Sequence, residues 1–296
     1  MADDSVISRL WAFSPTQFPL QVMRFPSHPV SHAKHRHEFT ELVVILNGTA
    51  EHEVGRDIYT IETGDAFIIL GDTKHAYHEP ENLSLINVLM DIPRLGFPLA
   101  DLRDLPGYHA LFEVEPRVRR LGKFRNRLRL SMDQLSTVTR LIAELEEELI
   151  VRRSGCRFMA IARLMQLIGY LSRCYLHLEH DDIRPVSQIS KLLGYMERHY
   201  AEPIAVADMM EAAAMSQTTL MRSFRRIMGR SPVDHLIRLR VAKAQDLLRH
   251  TDMPISTIAR NVGFCDGNYL ARQFRRVTGI SPRQYRQLGD LTTYNR

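Results

Sequence analysis

The sequence predicts an α+β chain of two domains: an N-terminal β-barrel or jelly roll with a helix pair, then an all-α domain carrying two helix-turn-helix units. Three observations predict it. Residues from about Phe25 to Met90 follow a strand-like pattern, and residues from about Ser131 to His180 switch to a helical period. The stretch "RSFRRIMGRSP", Arg222–Pro232, then returns fifty residues later as "RQFRRVTGISP", Arg272–Pro282.

With 296 residues and 45% apolar content the chain can bury a sizeable core, and its length suits about two domains of roughly 100–200 residues each. The start, "MADDSVISRLWAF", is acidic where a signal peptide is basic and lacks an apolar core, so export is not expected. The most apolar helical run, "FMAIARLMQLIGYL", carries Arg163 and Gln166 and is too short and polar to span a bilayer. Cys156, Cys174 and Cys265 stand far apart with no CxxC, which excludes a disulfide framework and a cysteine zinc site. A cytoplasmic location is the expectation.

Charge is unevenly spread. From Val186 onward 17 Lys/Arg face 9 Asp/Glu, a net of +8, which leaves −3 for the rest of a chain whose total is +5. A basic domain gathers at polyanions because neutralised phosphates release counterions, so nucleic acid is the leading partner class for the C-terminal part.

The expected domain limits are 1–130 for the β-domain, 131–180 for the helical hairpin, 181–188 for a polar linker and 189–296 for the DNA-binding domain. In the first, "ELVVILNGTAEHEV", "DIYTIETGDAFIIL" and "LSLINVLM" are β-branched runs punctuated by Asn-Gly, Val-Gly-Arg-Asp and Gly-Asp turns. Further on, "RVRRLGKFRNRLR", Arg117–Arg129, places seven basic residues in thirteen positions. On a strand Arg125, Arg127 and Arg129 would share a face; the plainer reading is a solvated edge or a partner for Glu144 and Glu146 to Glu148. In the hairpin, Leu135, Val138, Leu141, Ile142, Leu145 and Leu149 form one stripe, and Phe158, Ile161, Leu164, Met165, Ile168 and Leu171 another. Such a pair either closes the β-domain or joins two subunits.

In each copy of the repeat an apolar stripe runs at i, i+4 and i+7: Leu220, Phe224, Ile227 and Leu270, Phe274, Val277. Gly229 and Gly279 suit helix ends, and Ser231-Pro232 and Ser281-Pro282 suit the start of the next helix. Upstream, Ala214-Met215 and Gly263-Phe264 read as tight turns, with Ser216 and Asp266 as N-caps. Because the offset there drops to 49, the second copy is expected to carry one extra residue at the start of its longer helix. The spacing is that of a helix-turn-helix, whose second helix enters the major groove. Between the copies Pro232–His250 would span roughly 28 Å at ~1.5 Å per residue, against about 34 Å for one turn of B-DNA. Two recognition helices at that separation could read successive major-groove segments.

"DMPISTIARNVGFCDGNYLARQFRRVTGISPRQYR" resembles the signature of AraC/XylS-type transcription regulators, over Val186 to Gln287. The resemblance implies base-facing positions at Thr218, Met221 and Arg222 in the first unit and Gly267, Asn268 and Arg272 in the second. Arg can address guanine and Asn adenine, so Arg222, Arg272 and Asn268 carry the specificity expectation; Arg225, Arg226, Arg275 and Arg276 serve phosphates or snorkel. The first unit departs from the family pattern with Met210 at a small-residue position and Ala214 at the turn glycine.

In "HAKHRHEFTEL", His35, His37 and Glu41 share strand parity, and Gly48 follows. "GDAFIILGDTKH" then places His75 eleven residues after Gly64. The two blocks resemble the cupin motifs, in whose metal-binding members the residues matching His35, His37, Glu41 and His75 hold a divalent ion. Three histidines and a carboxylate would suit Zn²⁺, Fe²⁺, Mn²⁺ or Ni²⁺. Leu70, Asp72 and Glu79 depart from the motif's Pro, Gly and Asn. The alternative is a metal-free pocket in which the same residues and Tyr77 bind a small polar effector. The layout resembles regulators of rhamnose, melibiose and chitobiose operons, which implies a sugar or sugar derivative.

The functional expectation is a ligand-responsive DNA-binding regulator, an activator of a carbohydrate operon that contacts RNA polymerase, with a homodimer as one use of the helix pair. It is not expected to be an enzyme. The competing reading is a metal-dependent cupin enzyme fused to a DNA-binding domain.

Overall fold

The computed structural model describes residues 5–13, 18–27, 34–55, 57–96, 100–120, 128–176 and 184–293. They divide into two compact units, Met1–Ser190 and Lys191–Arg296.

The first unit opens with β1 (Ser5–Ile7), α1 (Arg9–Ala12), β2 (Leu20–Phe25) and β3 (His35–His37), followed by β4 (Thr40–Val54), β5 (Asp57–Glu62), β6 (Asp65–Ile69) and β7 (His75–Met90). The long strands β4 and β7 pair antiparallel through both halves of the sheet. One half adds β2, β6 and β8 (Leu128–Arg129), the other β1, β3 and β5. Val43, Ile45, Ala50, Ile61, Phe67, Ile69, Tyr77, Leu83 and Leu85 fill the interior.

Asn47-Gly48, read as a turn, lies inside β4. The register shifts on both sides of Asn47 and again after Thr49, and Gly48 sits at φ 80. A Cβ there would lie 2.3 Å from the Glu81 carbonyl oxygen, so glycine lets β4 bend where β7 comes closest. The shifts also reverse parity: Val43 and Ile45 point inward before the bend, Ala50 after it.

Between sheet and hairpin the sequence reading assigned no helix, yet α2 (Ile92–Leu95), α3 (Ala100–Arg103), α4 (Pro106–Tyr108), a π-helical stretch His109–Val114 and α5 (Glu115–Arg120) occur there. A Cβ on Gly107 would meet the Ser172 carbonyl oxygen at 1.9 Å, so α4 requires glycine where it meets the hairpin. The basic run is therefore split. Arg117 and Arg119 are helical, 121–127, which includes Arg125 and Arg127, lie outside the described residues, and Arg129 is in β8. The described members of the run have other partners than the acidic residues named for it. Arg119 is buried against Glu115, Arg129 pairs with Glu62 and Asp65, and Glu144 and Glu146 take Arg140, Arg163 and Arg24.

The hairpin is α6 (Met132–Val151) and α7 (Cys156–Leu176), packed on each other. A capping box at Ser131 and Gln134 starts α6. Leu135, Val138, Leu141, Ile142 and Leu145 are buried as the stripe requires, whereas Phe158 is 75% exposed. It lies in the first turn of α7, and Ile150 and Val151 at the end of α6 are exposed as well. Of the segment read as a linker, 181–183 lie outside the described residues, and Arg184–Gln188 already belong to α8 (Arg184–His199). Proline is tolerated in a first helical turn, so Pro185 does not break it.

The second unit adds α9 (Val206–Ala213), α10 (Gln217–Met228), α11 (Pro232–His250), α12 (Ile255–Asn261), α13 (Gly267–Thr278) and α14 (Pro282–Thr293). Among the described residues no helix is long and apolar enough to cross a membrane.

Candidate nucleic-acid interface and effector pocket

Each copy of the repeat folds as a short helix, a left-handed turn and a longer helix. Ser216 and Asp266 cap α10 and α13 by accepting from the backbone N–H of Thr219 and Tyr269. Gly229 and Gly279 end these helices at φ 71 and 85. Phe224 and Phe274 are fully buried, and each meets a ring edge-on from the next helix, His235 and Tyr285. The same offset of fifty thus places caps, core rings and ring partners in both copies.

The turns differ. Gly263 at φ 84 is matched by Ala214 at φ 47, while the caps Ser216 and Asp266 keep the offset of fifty. The extra residue of the second copy is therefore Cys265, in the turn before the cap, and not at the start of the helix as the sequence suggested. Its thiol donates to Asp266. The Tyr269 backbone N–H first, and then this thiol, lower the Asp266 carboxyl below its usual range.

With the core face settled, the opposite faces are exposed. Thr218, Arg222, Arg225 and Arg226 on α10, and Asn268, Arg272, Arg275 and Arg276 on α13, face solvent; Met221 and Gly267 are partly covered. Gln217, Thr218, Met221, Arg222, Arg225 and Arg226 line one groove. Gln217 was not singled out in the sequence, although it stands fifty residues before Gly267 and next to its own cap. The basic side chains differ in engagement: Arg272 lies over the Tyr269 ring at 5.0 Å, and Arg276 pairs with Asp234 at 2.8 Å.

In the first unit strand pairing gathers the histidines. His35 faces His75 across β3 and β7, with Nε2 to Nε2 at 2.9 Å. His37 Nδ1 donates to the Phe39 carbonyl at 2.7 Å, so a neutral ring turns a bare Nε2 toward Glu41 Oε2, 3.1 Å away. Two lone pairs at that distance call for a proton or a metal ion between them. The ligand atoms of His37, Glu41 and His75 lie within 4.8 Å of one another, and all three residues are buried, so this donor set fits a divalent ion; His35 adjoins it through His75. Burial first, then the neighbouring His35 and His37, lowers the His75 pKa well below its usual value.

Tyr77 stacks on His52 at 4.8 Å between ring centroids, and Tyr59 bonds to His52 Nδ1 at 2.7 Å. Burial pushes the Tyr77 phenol well up. His52 was missed because the bend in β4 changes which parity faces inward, so counting in twos from Glu41 puts it on the wrong side; Tyr59, its partner on β5, shares parity with the buried Ile61.

Residues 24–168 match the family described as "AraC-like ligand binding domain", and residues 209–288 match "Helix-turn-helix domain". The HTH-type transcriptional activator RhaS of Escherichia fergusonii is 33% identical over 263 residues, which cover 88% of this chain and 89% of that protein. The activator of the same name from Enterobacter sp. (strain 638) is 31% identical over 261 residues, 88% of this chain and 89% of its own length. Among solved structures, the DNA-binding domain of AdpA in complex with a target DNA is 33% identical, covering 34% of this chain and 91% of that one at a TM-score of 0.33.

Proposed function

The chain belongs to the AraC family of DNA-binding transcription regulators and carries a ligand-binding domain, and from that premise we propose that it is a cytoplasmic, non-enzymatic activator of a carbohydrate operon. The observation that carries the DNA part is the duplicated, capped helix whose arginines all lie outside the core. Thr218, Met221, Arg222, Gly267, Asn268 and Arg272 meet base edges; Arg225, Arg226, Arg275 and Arg276 meet phosphates. The domain limits proposed are 1–130, 131–180 and 189–296.

A sugar or sugar derivative occupies the barrel against His35, His37, Glu41, His75 and Tyr77, where imidazoles and a carboxylate meet hydroxyls and an aromatic ring meets a sugar face. His37, Glu41 and His75 would hold a divalent ion, with His35 beside them, and such an ion would seat an effector hydroxyl. The effector regulates by preferring one DNA-binding state of the chain. RNA polymerase and a second copy of the chain are the remaining partners; the exposed Ile150, Val151 and Phe158 on the hairpin favour the dimer. Footprinting of the promoters beside its own gene, with and without a panel of sugars, tests site and effector together. A sugar-dependent footprint is expected, and one that no sugar changes removes the effector reading.

A further inference from the structure

Helix α5 carries a charged pair into the first unit. Glu115 is fully buried and Arg119 only 4% exposed. Arg119 Nη2 donates to Glu115 Oε1, and the guanidinium carbon lies 4.8 Å from the Phe67 ring centroid and 5.7 Å from that of Tyr59. The π-helical turn just before Glu115 shifts the helical register ahead of the pair, a device common at functional sites. Among the described residues Arg119 Nε and Nη1 have no acceptor. A buried donor without an acceptor is costly, most of all on a charged group, and a ligand that supplies oxygen removes the cost.

The surroundings say which interior the group faces. Phe67 is part of the barrel core with Tyr77, and Tyr59 bonds to His52, which stacks on Tyr77. The Arg119 charge acts on both Tyr77 and His75. Charge then selects the ligand class. Glu115 already neutralises Arg119. At this guanidinium a ligand carboxylate would be a second anion against one positive charge, whereas an uncharged polyol offers oxygens without added charge.

Resting on the effector reading above, we propose that Arg119 is a specificity-determining residue whose Nε and Nη1 donate to oxygens of an uncharged polyhydroxy effector, which it distinguishes from the matching sugar acid. The pair also reaches the hairpin: burial first, then the Glu115 carboxylate, pushes the phenol of Tyr175 on α7 well up.

The test is calorimetric titration of the full chain with L-rhamnose, D-galactose and melibiose, and with the aldonic acid of each. The variants are Arg119→Lys and the double replacement Glu115→Gln with Arg119→Gln, which leaves no unpaired buried charge. A neutral sugar is expected to bind the wild type at least about tenfold more tightly than its acid. Both variants should lose about tenfold or more in sugar affinity while keeping the melting transition and the sugar-free footprint. Unchanged affinity in a folded variant overturns the assignment of Arg119 and leaves the effector reading intact. Tighter binding of an acid, a comparison that needs no variant, overturns the uncharged class. A wild type that binds none of these compounds overturns the effector reading and this assignment with it.

Discussion

Arg276 of α13 reaches Asp234 in the first turn of α11, with Nη2 2.8 Å from Oδ1, while Arg238 Nε holds the other carboxylate oxygen at 3.0 Å. The second recognition helix is thereby tied to the helix that joins the two copies. On the proposed DNA face, an arginine so engaged would meet phosphate rather than a base edge. Replacing Arg276 with Ala should weaken binding to cognate and random DNA equally, by about 0–1 kcal/mol. Fluorescence anisotropy on the two duplexes measures this, and a selective loss on the cognate site would make Arg276 a base reader.

The same carboxylate sets a pH dependence. Burial works against ionisation of Asp234, but Arg238 and Arg276 outweigh it and lower its pKa. A carboxyl whose folded pKa is depressed contributes stability above its unfolded value and loses it as pH falls through the folded value. The stability gap between wild type and Asp234→Asn should therefore persist at neutral pH and close in acid, as denaturant melts across that range would record. A gap that widens on acidification contradicts the pairing.

Arg272 carries the specificity expectation of the second unit. Arg272→Ala should cost about 1–3 kcal/mol at the cognate site and relax one base position. Selection from a randomised duplex pool reads out the relaxed position; equal loss on all sequences would reassign Arg272 to the phosphates.

Two turns make opposite predictions from one backbone conformation. Ala214 at φ 47 bears a Cβ in the left-handed region, so Ala214→Gly should raise stability by about 0.5–1 kcal/mol. At Gly263 a new Cβ would lie 2.4 Å from the Tyr200 carbonyl oxygen and 2.8 Å from Arg240 Nε. Gly263→Ala should cost at least about 2 kcal/mol. Thermal denaturation of both variants checks the pair of signs.

The cupin-like motif contains a similar case. Asp72 and Glu79, standing where the motif has Gly and Asn, adopt φ 63 and 46. Both positions hold a left-handed backbone with a residue that bears a Cβ. Asp72→Gly should stabilise the first unit by about 0.5–1 kcal/mol, since the Asp72 side chain is 78% exposed and its contact with Arg36, at 3.6 Å, is a weak surface pair. A lower melting temperature in that variant would show that the ion pair outweighs the backbone strain.

The sequence by itself determined the repeat, because its signals are local. A cap, a left-handed C-terminal glycine and an i, i+4 stripe each act within one or two turns of helix, so Ser216, Gly229, Phe224 and their partners fifty residues on are legible without the rest of the chain. It also determined the strand-rich first half, through β-branched runs, and brought His37, Glu41 and His75 together by motif spacing. Tertiary structure decided what depends on contacts between distant segments. The approach of β4 to Glu81 at Gly48 reverses inward parity and brings His52 into the interior, stacked on Tyr77. The packing of α5 on β6 buries Arg119, which sequence patterning places on a solvated edge because charge normally stays in water. Only a partner such as Glu115, four residues earlier on the same helix, and an aromatic wall from distant strands make that burial affordable, and no local pattern encodes such a wall.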